Sequence, residues 1–248
     1  MASHQQALLW RTPTTASNWL LNNLTAYWKM DESSGNIADA TGWWHTWTLN
    51  GTISYTTGII NNWISMTSAQ AQNFFSIANS WDFNVSTTKM SCSLRIKSSN
   101  NSVHFFTYMD NNIQEEIIFW IWWGASYGVW GTSGKPTIYC KNKWWAWYSA
   151  SITVSDNARH HIVLLIDSSS IKIYVDNTLS LNQSISGTWS AWDRTLRIGN
   201  RYVSSAPYYL CYWWLMDEFW RWSEVLTTDQ ITALYNSWSW LPYSSFTS

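Results

Sequence analysis

Charge is scarce in this chain. Asp, Glu, Lys and Arg make up only 12% of 248 residues, and 14 basic against 15 acidic side chains leave a net charge of −1. The basic residues form no run that could displace counterions from a phosphate backbone, so nucleic acid is not an expected partner. Long apolar runs are missing too. The densest, Ile117-Ile-Phe-Trp-Ile-Trp-Trp123, is far shorter than the roughly 18 residues a spanning helix needs, so membrane insertion is not expected either. The N-terminus, Met1-Ala-Ser-His-Gln-Gln6, lacks the basic and apolar regions of a secretory leader. Cysteine is limited to Cys92, Cys140 and Cys211, an odd number without Cys-x-x-Cys spacing, which excludes a dense disulfide framework. Cys92 alternates with apolar neighbours and reads as a buried free thiol.

What is present is a period of two. In Leu24-Thr-Ala-Tyr-Trp-Lys-Met30 the residues Leu24, Ala26, Trp28 and Met30 share one face. Met90, Cys92, Leu94 and Ile96 do the same against Ser91, Ser93, Arg95 and Lys97. Successive side chains of a strand point to opposite faces, so such segments are half-buried strands. Ile171-Lys-Ile-Tyr-Val-Asp176 repeats the pattern and runs into Asn177, a residue suited to a tight hairpin. His161-Ile-Val-Leu-Leu-Ile166 is apolar on both faces and reads as a central strand. One helix is predicted: Thr227-Thr-Asp-Gln230 fits a capping box, and Ile231, Leu234 and Tyr235 follow at helical spacing to about Asn236. Many short strands with a single helix predict an all-β sandwich or barrel. Residues 1–22 lack alternation and read as an arm or linker; residues 244–248 read as a tail.

Several segments, in order, resemble the laminin-G-like branch of the concanavalin A-like lectin/glucanase superfamily. They begin with Ala26-Tyr-Trp-Lys-Met-Asp-Glu-Ser-Ser-Gly35, Ala38-Asp-Ala-Thr-Gly42 and Leu49-Asn-Gly51. His160-His-Ile-Val163, Ile173-Tyr-Val-Asp176 and Leu196-Arg-Ile-Gly199 follow, then Leu215-Met-Asp-Glu-Phe219 and Leu226-Thr-Thr-Asp-Gln-Ile-Thr-Ala-Leu-Tyr235. The resemblance implies an all-β, two-sheet antiparallel jelly-roll sandwich over residues 23–243 with one short C-terminal helix. It also implies a structural Ca²⁺ between the opening segment and the last strand, with Asp217 as one ligand and Asp31 and Asp39 within reach. Hard oxygen donors at strand ends suit that ion.

The glucan-cleaving members of the superfamily carry acids of the type Glu-x-Asp-x-(x)-Glu on one strand, and this chain has no such triplet. Glu115-Glu116 and Asp217-Glu218 are adjacent, so a strand places the members of each pair on opposite faces. Gly124-Ala-Ser-Tyr-Gly128 has the spacing of a nucleophile elbow, but the residues after it read as turns rather than the required helix. His160 and His161 read as core or edge residues. The expected function is therefore a non-catalytic, lectin-like module binding a glycan or surface polymer. The alternative is a structural or adhesive component of a virion or cell surface, docked through residues 1–22. A polysaccharide-cleaving enzyme ranks behind both.

Glycine and tryptophan are out of balance. The chain has 10 Gly and 23 Trp, whereas ordinary usage gives about 17 Gly at this length. Tryptophan clusters where turns want glycine, as in Gly42-Trp-Trp-His-Thr-Trp47, Lys143-Trp-Trp-Ala-Trp147 and Ser237-Trp-Ser-Trp240. Two readings stand. The rings form platforms for sugars, or many of these codons are UGA read as glycine. A bulky residue is costly at positive φ, and clustered exposed indoles invite association; both facts favour the second. That reading predicts tryptophans scattered over turns, some at positive φ, with Trp43, Trp44, Trp144, Trp145, Trp238 and Trp240 in loops and only Trp28 and Trp222 well packed.

Overall fold

The computed structural model describes residues 18–58, 61–66, 73–77, 89–101, 103–110, 115–121, 133–140, 146–186, 194–199 and 214–236. They form two antiparallel sheets packed face to face. The first takes β1 (Leu24–Trp28), β3 (Ser54–Thr57), β4 (Asn62–Met66), β6 (Met90–Ser98), β11 (Arg159–Ile166), β12 (Ser170–Val175), β13 (Thr178–Ser184) and β15 (Trp214–Trp222). Its order is β13-β12-β11-β6-β15-β4-β3, with β1 also paired to β15. The second is β10-β9-β8-β7-β14-β5-β2. These are β10 (Ala146–Ser149), β9 (Pro136–Cys140), β8 (Glu115–Ile121), β7 (Val103–Asp110), β14 (Arg194–Ile198), β5 (Phe74–Ile77) and β2 (Thr48–Asn50).

The period-two pattern sets what each face buries. Trp28, Met30, Cys92, Leu94, Ile96, Ile173 and Val175 all lie buried in the cluster between the sheets, as their alternation requires. Cys92 is a free thiol there, and burial pushes its pKa up to about 12. β11 sits between β6 and β12, with Ile162, Leu164 and Ile166 facing inward. Its other face, Val163 and Leu165, is covered as well, which explains why that strand is apolar throughout. The β12–β13 hairpin turns at Asp176 and Asn177, both left-handed at φ 50 and 66.

What covers the outer face of the first sheet is the helical part of the chain. α2 (Thr228–Tyr235) buries Ile231 and Leu234 against Val163, Leu165, Trp220 and Trp222. It lies on the sheet face rather than on the sandwich edge. The capping box is formed: Thr227 Oγ1 accepts from the Gln230 N–H, and Gln230 Oε1 accepts from the Thr227 N–H. Thr227→Ala removes one half of it. Thermal unfolding should show a loss of about 1 kcal/mol, and an unchanged midpoint would deny the cap any role. A short turn of helix, α1 (Asn18–Leu21), packs Leu20 into the same outer cluster, and the Leu20 carbonyl accepts the Trp222 indole N–H at 2.7 Å. The described end of the presumed arm is thus fastened to the sandwich.

Candidate functional site

The carboxylates gather at a seam in the first sheet. One side of β15 is paired with β6, but the other is shared. β4 takes Trp214 to Met216, and β1 takes Phe219 to Trp222. Asp217 and Glu218 fall between those two neighbours. The register slips at the same place, with Asp217 opposite Arg95 and Trp220 opposite Ser93. Met216 and Phe219 both reach the inter-sheet core, so the step between inward residues is three instead of two. Glu218 takes φ 53 to achieve this, and Met30, two residues past the end of β1, takes φ 62. Two bulky residues in the left-handed region flank one spot, which marks it as a place where backbone strain is held by its surroundings.

The bulge corrects the expectation that Asp217 and Glu218 part to opposite faces. Both carboxylates instead interact with Arg95 and Asp31. Asp217 is fully buried; its Oδ1 accepts the Glu218 N–H at 2.9 Å, while Oδ2 has no hydrogen-bond partner. Burial first, then the charges of Glu218 and Asp31, push its pKa well above the usual carboxylate range. Glu218 accepts from the Tyr27 hydroxyl and, at 3.3 Å, from the Trp220 indole. Burial pushes Glu218 up to about 7, against the pull of Tyr27 and Arg95. Arg95 is itself buried, which lowers its pKa, and it donates to the Leu234 carbonyl at 2.8 Å near the end of α2.

Asp31 reaches the seam from beyond β1. Its Oδ2 accepts from Asn61 at 2.9 Å, and its carbonyl and that of Glu32 each accept from Asn62 at 3.1 Å. Asp31 Oδ1 and Glu32 Oε2 are buried without a partner, like Asp217 Oδ2. Asp39 is held elsewhere. Its Oδ1 accepts from the Tyr27 N–H, the Thr41 N–H and the Thr41 hydroxyl, and its Oδ2 meets His45 Nδ1 at 2.9 Å. The structure therefore brings Asp31 to Asp217 and leaves Asp39 tying down its own turn. Among the described residues, no three His, Cys, Asp or Glu side chains gather closely enough to hold a metal by themselves. The orphaned oxygens of Asp31 and Asp217 fit a hard cation that takes its remaining ligands from carbonyls and water. Sequence reading missed Glu218, Arg95 and Tyr27. The bulge that joins them leaves no mark in the period-two pattern.

A second charged cluster lies at the start of β11. His160 Nδ1 meets Asp176 at 2.7 Å and its Nε2 meets Asp156 at 2.9 Å, so the ring clasps two turns. Burial alone would lower the pKa of His160; the hydrogen bonds and charges of Asp176 and Asp156 overcome it and raise the pKa. A histidine raised on folding stabilises fully below its unfolded pKa of about 6.5, and that stabilisation is lost as pH rises through the folded value. His160→Gln should flatten the decline in stability as pH rises above about 6.5. Denaturant midpoints across that range measure it, and parallel curves would refute it.

The aromatic residues depart from their expected arrangement. Trp43 and Trp44 are exposed on a turn, at 62% and 96%. Trp63, Trp120, Trp214 and Trp220 are buried alongside Trp28 and Trp222, because their strand positions face the core or a covered outer face, and Trp47, bridged to Ile37 just before β2, is buried too. No described tryptophan has positive φ. Trp120, Trp147 and Tyr139 make a row on the outer face of the second sheet, with Trp147 stacked on both others at 4.8 and 4.2 Å. Trp120 and Tyr139 are buried, so of this row only Trp147 keeps part of its ring exposed. Trp144, Trp145, Trp238, Trp240 and Gly124–Gly128 lie outside the described residues.

A two-sheet antiparallel sandwich with one helix on its outer face and an acidic seam beside its last strand defines a lectin-like jelly roll. Residues 70–232 match the profile of the concanavalin A-like lectin/glucanases superfamily, and the chain belongs to that family. No curated protein matches it in sequence. Among solved structures it is similar to domain 4 of an extracellular arabinanase from Geobacillus stearothermophilus, determined with arabinotriose. The two share 18% identity over 86% of this chain and 98% of that one, with a TM-score of 0.64. It is also similar to the binding domain of Paraclostridial Mosquitocidal Protein 1, at 15% identity over 88% of this chain and a TM-score of 0.66. The binding domain of botulinum neurotoxin DC in complex with SialylT gives 10% identity, 88% coverage and a TM-score of 0.64. The chain spans about half the length of these toxin domains, 53% and 52%. At such identities the likeness is one of fold.

Proposed function

We propose that the chain is a non-catalytic module that binds a glycan or surface polymer. The observation that carries this is the end-to-end match to a domain of similar extent solved with arabinotriose. The absence of the Glu-x-Asp-x-(x)-Glu triplet from the sequence supports binding without turnover. Titration calorimetry with arabinotriose and a sialylated oligosaccharide, followed by a glycan array, tests it. Saturable binding without product release is the expected result. No binding to any oligosaccharide, or release of reducing ends, overturns it.

The proposal includes one structural Ca²⁺ at the seam, held by Asp31 and Asp217, with Asp39 positioning the turn beside β1. The ion supplies charge compensation for buried acids and ties the opening segment to β15. A second reading is a structural or adhesive role in a virion or cell-surface assembly through residues 1–22. The fastening of Leu20 against α2 and Trp222 supports it, because anything bound to the preceding residues would be coupled to the sandwich. Co-sedimentation of the full chain, but not of residues 18–248, with the assembly is its expected signature.

A further inference from the structure

The described tryptophans fall into groups that their indole nitrogens define. Trp28 and Trp222 are fully buried, and each donates a short hydrogen bond to a main-chain carbonyl, of His45 at 2.6 Å and Leu20 at 2.7 Å. Trp47 and Trp214 are as deeply buried, yet neither indole N–H has an acceptor. A buried tryptophan normally finds a partner for that group, since leaving a donor unpaired costs about 1–3 kcal/mol. Trp43 and Trp44 fail in the opposite way. They stand side by side on a turn directly after Gly42, itself at φ 85, with most of both rings in water. That turn is fixed by the Asp39 carboxylate and leaves two large apolar rings mostly exposed.

These misfits coincide with the compositional imbalance. A chain with 23 Trp and 10 Gly is short of the residue that turns use most and rich in one they seldom use. Trp28 and Trp222 fit best, and Trp220 also finds an acceptor, donating its indole to Glu218 at 3.3 Å. The four that do not fit lie at a turn, just before a short edge strand, and at the start of β15. Backbone strain plays no part here, because none of the four has positive φ.

We infer that Trp43, Trp44, Trp47 and Trp214 are encoded by UGA and are glycine in the protein as its own organism makes it, whereas Trp28 and Trp222 are true tryptophan. Trp43 and Trp44 then provide no platform for a sugar, and any ligand is met by other residues. The inference is independent of whether the module binds glycans.

The encoding DNA and peptide masses of the natively made protein test it together. UGA at the four positions with glycine masses, and UGG at 28 and 222, is the expected result. UGG or tryptophan masses at the four overturn it, and UGA at 28 or 222 overturns the sorting by indole partner. A recombinant pair adds a physical readout. The W43G/W44G/W47G/W214G chain should be more soluble than the tryptophan form and melt several degrees higher. A melting point lowered by the four glycines counts against the inference, since it would show that Trp47 and Trp214 are needed core.

Discussion

Trp28→Ala should cost about 3–5 kcal/mol of unfolding free energy, the range for a large aromatic removed from a core. Trp28 has no exposed surface and lies between the sheets, 5.4 Å from Phe219 and 5.0 Å from Trp47 by ring centroids. Alanine there opens a cavity that the flanking sheets cannot close, because β1 is fixed in register against β15 from Ala26 to Trp28. The substitution also removes the hydrogen bond that the indole donates to the His45 carbonyl. A single domain is stable by about 5–15 kcal/mol, so the variant should be marginal at 37 °C. Urea titration measures it against Trp43→Ala, an exposed position where the change should stay within about 0.5 kcal/mol. Equal losses at the two positions would contradict the placement of Trp28 at the centre of the core. The prediction does not depend on the identity of residue 47, since the Phe219 stack and the His45 hydrogen bond remain.

The sequence made the strands readable because burial and periodicity coincide in them. Cys92, Leu94 and Ile96 alternate with polar residues on a strand whose one face meets the second sheet. The Thr227–Gln230 box was equally readable, since a cap is a local device. The candidate site was only half visible. Asp31 and Asp217 could be picked out from family resemblance, but their meeting depends on β15 exchanging one neighbour for another at the bulge, which is a long-range event. Asp39 stays apart from Asp217 for the complementary reason. Its nearest donors, Thr41 and His45, are local and satisfy both of its oxygens before a distant ligand could. The tryptophans misled because an inward strand position buries whatever side chain stands there. Trp47 and Trp214 are packed even though their polar atoms are not satisfied.

Ca²⁺ should raise the stability of this protein, and Asp217→Asn should abolish the rise. In the ion-free chain, burial and the neighbouring charges of Glu218 and Asp31 hold the Asp217 pKa well above the carboxylate range. Glu218 is pushed up to about 7. An acid whose pKa is raised on folding binds more protons in the native state, so its contribution falls as pH climbs from the unfolded pKa, about 4, toward the folded one. Without calcium the protein should therefore be more stable at pH 5 than at pH 7.5. An ion between Asp31 and Asp217 reverses this by stabilising the charged forms, and at a hundredfold excess over its Kd it adds about 2.7 kcal/mol. Asparagine at 217 keeps the shape of the neutral acid while removing the titration. In chelator Asp217→Asn should match or exceed the parent at pH 7.5, because a buried polar amide costs less there than a buried charge. In calcium it should fall below the parent by roughly the full binding contribution. Melting curves of both proteins at pH 5 and 7.5, with chelator and with millimolar Ca²⁺, give the four comparisons. A parent indifferent to calcium at pH 7.5, or an Asp217→Asn variant still stabilised by it, would remove the ion from the seam. The buried acids would then be left to Arg95, Tyr27, Trp220 and the Glu218 N–H.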